Sequence, residues 1–198
     1  MFNKLRAPLQ PLINLIALPF SWINPNVLSL LSFVIAAPGF YFYAKGNSLL
    51  GSLFILGALF DSIDGAVAKK TGKMTKFGGV LDATLDRVFD GLLLFFIGVG
   101  GLVGWPWLFL AFIAFVSVSY IKAKTEAVSS EVNVGTNRFS VGIAQRGERI
   151  AIIFAASILN YFLTPDKNEI LVVAIIVLFV LATITVIWRG LLTKKVIG

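Results

Sequence analysis

Long apolar stretches alternate along the chain with short polar interruptions. A helix that crosses a bilayer needs about 20 mostly apolar residues. Six segments meet that need, at roughly 25–43, 48–68, 80–103, 105–128, 142–163 and 168–190. Helix breakers separate them, such as Gly46-Asn47, Gly104 before Pro106, and Thr164-Pro165-Asp166. The pattern predicts an all-α integral membrane protein, a single domain over 1–198 with a six-helix transmembrane bundle at 25–190. Residues 1–24 carry Lys4 and Arg6, then apolar residues interrupted by Pro8, Pro11 and Pro19. They read as an interfacial helix on the cytoplasmic leaflet, without the small-residue cleavage site of a signal peptide.

Composition supports the bilayer reading. The 198 residues are 58% hydrophobic with a mean hydropathy of +0.90, against about 45–50% apolar in an ordinary soluble domain. There is no cysteine, which excludes disulfides and thiol chemistry. There is no histidine, which removes the commonest general base and the commonest zinc ligand. Acid–base and metal chemistry must come from carboxylates.

The net charge of +7 could suggest nucleic acid. The basic residues, however, sit at predicted helix ends, so no nucleic-acid partner is expected. With the N-terminus inside, 15 of the 17 Lys and Arg fall on the cytoplasmic side, and only Lys45 and Lys167 fall outside. That bias places both termini in the cytoplasm of a cell-membrane protein. Trp22, Trp105, Trp107 and Trp188 lie near predicted span ends, as interfacial anchors do.

Five of the ten acidic residues lie between 61 and 90, at the cytoplasmic ends of the second and third spans. Carboxylates bordering a membrane are costly and usually functional. Asp61 and Asp64 are i, i+3 neighbours, and Asp82 and Asp86 are i, i+4 neighbours. A short loop should make their helices antiparallel neighbours, so that two carboxylate pairs face each other. Hard divalent cation, Mg²⁺ or Mn²⁺, is the simplest way to relieve four clustered anions. Gly65 leaves room for a ligand at the backbone, Lys69, Lys70, Lys73 and Lys76 add positive charge, and Thr75 offers a hydroxyl. One aspartate alone would more simply cap a helix end. Four at this spacing, with Gly65 between, favour a site. Asp90 continues the same face and reads as the partner of a neighbouring cation or polar group.

Asp61, Asp64, Gly65, Ala68, Lys69, Gly78, Asp82 and Asp86 stand at the spacing D-x-x-D-G-x-x-A-R-x8-G-x3-D-x3-D without a gap. This resembles the signature of the CDP-alcohol phosphotransferase family. The single departure is Lys69 for arginine, which keeps the cation but not the bidentate fork. The resemblance implies a six-helix membrane fold, usually a homodimer, with its active site at the cytoplasmic boundary. It implies that Asp61, Asp64, Asp82 and Asp86 bind the metal ions and that Asp86 is also the general base. It implies that Gly65, Lys69 and Thr75 contact the CDP moiety of a CDP-lipid. Asn26, Val27, Leu28 and Ser29, just after Pro25, resemble a further CDP-contacting segment.

A second pair of segments narrows the acceptor. Ser119-Tyr120-Ile121-Lys122-Ala123-Lys124-Thr125-Glu126 ends the fourth span, and Gly142-Ile143-Ala144-Gln145-Arg146-Gly147-Glu148-Arg149 opens the fifth. Together they resemble family members that act on inositol 1-phosphate. That likeness implies a basic pocket for the acceptor phosphate at Lys122, Arg149 and Arg189. Three cations from three spans could converge on a dianion, although positive-inside flanking would also place cations there. The polar segment 127–141 reads as a loop, either bordering this pocket or simply connecting.

The expected activity is phospholipid biosynthesis: a phosphatidyl or archaetidyl group passes from CDP-diacylglycerol or CDP-archaeol to inositol 1-phosphate, with release of CMP. Lys69 and the Lys/Ile character lean toward archaeol. Two alternatives stay open. One is a glycerol 3-phosphate transferase of the same family, and the other is a six-span cation transporter using the aspartates as its transport site.

Overall fold

The computed structural model describes residues 19, 22–57, 67, 71–72, 75–131, 142, 145–164 and 166–197. Among them the chain is helical, with no strand. Six helices follow in order: α1 (Pro25–Ala44), α2 (Ser48–Ile55), α3 (Lys76–Val99), α4 (Trp105–Glu131), α5 (Arg146–Leu163) and α6 (Glu169–Ile197). The expected interfacial helix over 1–24 lies almost wholly outside the described residues.

Local chemistry sets the helix limits, and it shifts several of them from the hydropathy pattern. α3 begins four residues ahead of the expected span because Thr75 caps it, its Oγ1 accepting from Gly78 N at 2.9 Å. It ends at Val99 because Gly100 and Gly101 follow, the latter at φ 67°. α5 starts at Arg146 rather than 142, and Gln145 N donates back to Glu148 Oε2 at 3.2 Å. α4 runs on to Glu131, so residues 127–131 are helical rather than the loop expected there. Nothing between Ala127 and Glu131 breaks a helix, and the first glycine is Gly135. α2 is an α-helix through Ile55, and the rest of the second expected span lies mostly outside the described residues.

Three described helices are long and apolar enough to cross a membrane, through Val27–Ala44, Trp105–Val128 and Glu169–Lys195. α3 and α5 are long enough but charged: α3 carries Asp82, Asp86, Arg87 and Asp90, and α5 carries Arg146, Glu148 and Arg149. These two helices build the site.

The helices close into a ring. α1 packs on α2 and α3, α3 on α4, α4 on α6, α6 on α5, and α5 on α2. In this order α3 and α5 stand opposite each other. Over the described residues α2 packs chiefly on α1 and α5, with α1 between it and α3, so the expected pairing of the second and third spans is not seen there. The reason lies in two glycines. A Cβ on Gly39 would sit 2.9 Å from Gly51 O, and one on Gly51 would sit 2.7 Å from the Tyr43 ring. Small residues let α1 and α2 meet backbone to backbone.

Phe33, Phe40, Phe89 and Phe96 join α1 to α3, with Phe40 and Phe96 stacked at 5.6 Å and Phe40 and Phe89 5.3 Å apart. Ile153, Leu171, Ile175 and Leu178 fill the α5–α6 side. The four tryptophans are all exposed, which suits residues at a lipid–water boundary.

Candidate active site

The site is built from the second to fourth turns of α3 and the first turn of α5. Asp82, Asp86 and Asp90 recur every fourth residue on α3 and form one acidic stripe. Like charges at this spacing repel, and the helix alone cannot relieve them. Relief comes from across the ring. Arg146 Nη1 lies 2.6 Å from Asp86 Oδ1, and Arg149 Nη2 donates to Asp90 Oδ2. The two pairs form a ladder, one turn apart on each helix.

The rungs differ in burial. Asp86 and Arg146 keep side-chain exposures of 22% and 19%, whereas Asp90 and Arg149 keep 8% and 3%. Each arginine also lies over an aromatic ring: Arg146 5.4 Å from the Phe89 centroid, Arg149 4.4 Å from that of Phe115 on α4. Arg87 Nη1 donates to Ala83 O and lies 3.8 Å from Asp86 Oδ2. Asp82 is half-buried one turn nearer the start of α3.

The expected metal ligands divide here. Asp82 and Asp86 share one face of α3, a donor set of hard carboxylate oxygens that fits Mg²⁺ or Mn²⁺. Asp61 and Asp64 lie outside the described residues, as do Gly65 and Lys69. Among the described residues there is no cluster of three potential metal ligands.

Thr75 is present as a helix cap, its hydroxyl oxygen engaged with Gly78 N. Val27, Leu28 and Ser29 form the first turn of α1, with Leu28 and Ser29 buried and Val27 exposed. The side chain of Asn26 lies outside the described residues.

Of the expected acceptor cations, Arg149 and Arg189 lie within electrostatic reach of each other, and Lys122 is placed by a contact within its own helix. Lys122 lies 3.8 Å from Glu126 on α4. Arg189 on α6 is buried, donates from Nη1 to Val118 O at 2.7 Å, and is within electrostatic reach of Glu126 and Arg149. Gly142 sits against it, since a Cβ there would lie 3.0 Å from Arg189 Nη2 and 2.6 Å from Thr185 Cγ2. Asp90 pairs with a cation, as its place on the stripe suggested.

Sequence reasoning missed Arg146 as the partner of Asp86. Its motif was visible, but the contact spans two helices separated by a turn and a further span. A signal existed in the spacing: Arg146 and Arg149 at i, i+3 match Asp86 and Asp90 at i, i+4, and facing helices can satisfy both pairs together.

A model of the CDP-alcohol phosphatidyltransferase family matches residues 22–193. The chain belongs to that family. It is therefore a CDP-alcohol phosphotransferase, and its apolar helices make it a membrane protein. The transporter alternative does not survive this finding.

Among curated proteins, the archaetidylinositol phosphate synthase of Methanothermobacter thermautotrophicus is 37% identical over 194 residues, 96% of this chain and 92% of that protein. The archaetidylinositol phosphate synthase of Pyrococcus horikoshii is 44% identical over 139 residues, 70% of this chain and 71% of that one. Among solved structures, the phosphatidylinositol phosphate synthase PgsA1 of Mycobacterium tuberculosis with CDP-DAG bound superposes at a TM-score of 0.75. It is 26% identical and covers 91% of this chain and 92% of that chain. A second structure of PgsA1, with manganese and citrate, superposes at 0.77 with 94% and 90% coverage. In this family member the acidic stripe and the facing arginines occupy one end of one helix ring.

Proposed function

We propose that this phosphotransferase moves the archaetidyl group of CDP-archaeol to inositol 1-phosphate, releasing CMP. The observation that carries the reading is the ladder between α3 and α5. Asp86, suited to the donor's metal, and Arg149, suited to an anionic acceptor, belong to adjacent rungs of that ladder. The choice of inositol phosphate and of archaeol is supported by similarity to archaetidylinositol phosphate synthases along nearly the whole chain.

Asp82 and Asp86, with Asp61 and Asp64, would hold the metal, Mg²⁺ being our first choice. When bound, it neutralises the donor diphosphate and stabilises CMP as the leaving group. The chain's own residues do the rest. A ring hydroxyl of inositol 1-phosphate attacks the phosphorus that bears the lipid, and the bridging oxygen leaves with CMP. The hydroxyl proton goes to a carboxylate oxygen of Asp86, because no histidine exists to take it. Lys122, Arg149 and Arg189 hold the acceptor phosphate, so that most of the catalysis is positioning and electrostatics. The first turn of α1, with Asn26 to Ser29, together with Gly65, Lys69 and Thr75, receives the CDP moiety.

The enzyme spans the membrane six times, with the charged faces of α3 and α5 turned toward each other. It works as a homodimer, with both termini and the site facing the cytoplasm. Orientation can be mapped with single engineered cysteines, since the native chain has none. The function is tested with purified enzyme, CDP-archaeol or CDP-diacylglycerol, and either inositol 1-phosphate or glycerol 3-phosphate. CMP release that needs inositol 1-phosphate and is fastest with CDP-archaeol is expected. Release with glycerol 3-phosphate alone would replace the acceptor assignment.

A further inference from the structure

We infer that Asp90 is a positioning residue for the acceptor: it sets Arg149 at the height and angle from which the arginine meets the acceptor phosphate. This inference rests on the proposed acceptor role of Arg149 and extends it to a residue outside the donor's four aspartates.

Asp90 is buried on α3, one turn beyond Asp86. An ionised carboxylate in such a place is costly unless it is paired and hydrogen-bonded. Its partner is Arg149, itself 3% exposed in its side chain. The guanidinium is therefore held by at least two contacts. Nη2 is held by Asp90 from α3, and the planar face is covered by Phe115 of α4 at 4.4 Å. A planar fork held at one nitrogen and over one face is set in direction. A lysine or a solvated arginine would not be so constrained.

The arrangement also ties the two halves of the reaction together. Asp86 and Asp90 lie on one rigid helix, and Arg146 and Arg149 on another. The lower rung thus fixes α5 in register with the helix that carries the donor carboxylates. The acceptor phosphate needs a fixed place relative to the donor carboxylates, and a displaced Arg149 weakens the hold on the acceptor. Asp90 supplies that register from a buried position.

Steady-state kinetics of CMP release by the full-length enzyme provide the test, with Asp90→Asn as the main variant. The change preserves size and removes the charge that orients Arg149. The KM for inositol 1-phosphate should rise about tenfold or more, with kcat falling less than about threefold and the KM for CDP-lipid unchanged. Mn²⁺ binding, read by electron paramagnetic resonance, should stay at the wild-type affinity. Phe115→Leu should raise the same acceptor KM by about two- to threefold. In Arg149→Lys, adding Asp90→Asn should have little further effect on the acceptor KM, because the two residues act as one unit.

Breaking a buried pair lowers the melting temperature in either case, but a merely structural Asp90 would degrade both KM values and kcat together. That result, or an unchanged acceptor KM in Asp90→Asn, would overturn the inference. Should Asp90→Asn not fold, Asp90→Glu and Phe115→Leu decide the matter by the same acceptor KM. Failure of the underlying reading looks different: wild-type enzyme would then release no CMP with inositol 1-phosphate at all.

Discussion

Where α1, α3 and α5 finish, the ring is held by neutral polar groups and close backbone packing. Tyr43 Oη and Ser157 Oγ are 2.8 Å apart, and Ser48 Oγ donates to Ser157 O at 3.0 Å, joining α1, α2 and α5. Asn160 donates to Asn168 Oδ1 at 2.7 Å and accepts from Thr164 Oγ1 and Leu171 N, closing the α5–α6 turn. Where the same helices begin, the contacts between α3 and α5 are ionic. The difference teaches what each end is for. Neutral hydrogen bonds satisfy buried groups cheaply and hold a fixed shape. Buried ion pairs are poor stabilisers against an apolar alternative, so their presence at one end marks that end as the one selected for chemistry.

Substitutions at the two ends should separate activity from stability. The largest effect is expected at the charged end. Asp86→Asn should lower kcat for CMP release by about a thousandfold or more, since it removes a metal ligand and the proton acceptor together. Its melting temperature should change little. A variant retaining more than a tenth of wild-type turnover would break the assignment of Asp86, while EDTA should abolish wild-type activity and added Mg²⁺ or Mn²⁺ restore it.

The next effect belongs to the neutral end and should fall on stability alone. A Cβ on Gly100 would stand 1.9 Å from Tyr43 O, so Gly100→Ala forces α1 and α3 apart at their ends. Overpacking of this kind costs about 1–3 kcal/mol. The expected outcome is a clear drop in the melting temperature in detergent, with the acceptor KM at its wild-type value in the cold.

Gly142→Ala is the matched change at the charged end, pressing on Arg189 and Thr185 instead of backbone. It should raise the inositol 1-phosphate KM about three- to tenfold, because the guanidinium shifts rather than the fold, and leave the CDP-lipid KM alone. The smallest effect is expected from Tyr43→Phe. Losing one hydrogen bond to Ser157 costs about 1 kcal/mol, visible in thermal unfolding and absent from the kinetics. Equal kinetic damage from Gly142→Ala and Tyr43→Phe would erase the contrast between the ends.

Much of this protein could be read along the chain. Helix existence followed from apolar runs, and the motif from Asp61 to Asp86 is local, its members lying in one continuous stretch of sequence. The acidic stripe at Asp82, Asp86 and Asp90 needs nothing beyond the helical period. Helix starts were less legible. The hydropathy pattern sees where lipid-compatible residues begin, whereas Thr75 and the Gln145–Glu148 contact determine where backbone N–H groups are satisfied. For this reason α3 begins inside what looked like loop, and Thr75, expected to serve a ligand, displays a capping role.

What the amino-acid sequence alone determined was the class of protein and its chemical inventory: apolar helices, clustered carboxylates, no histidine, and cations at helix ends. Which cation answers which carboxylate was decided only in three dimensions. Arg149 lies 59 residues from Asp90, and nothing in the local pattern selects it over Lys122 or Arg189. The selection comes from closing the ring, which sets α5 opposite α3 and leaves each buried aspartate to be matched by whatever charge the facing helix delivers.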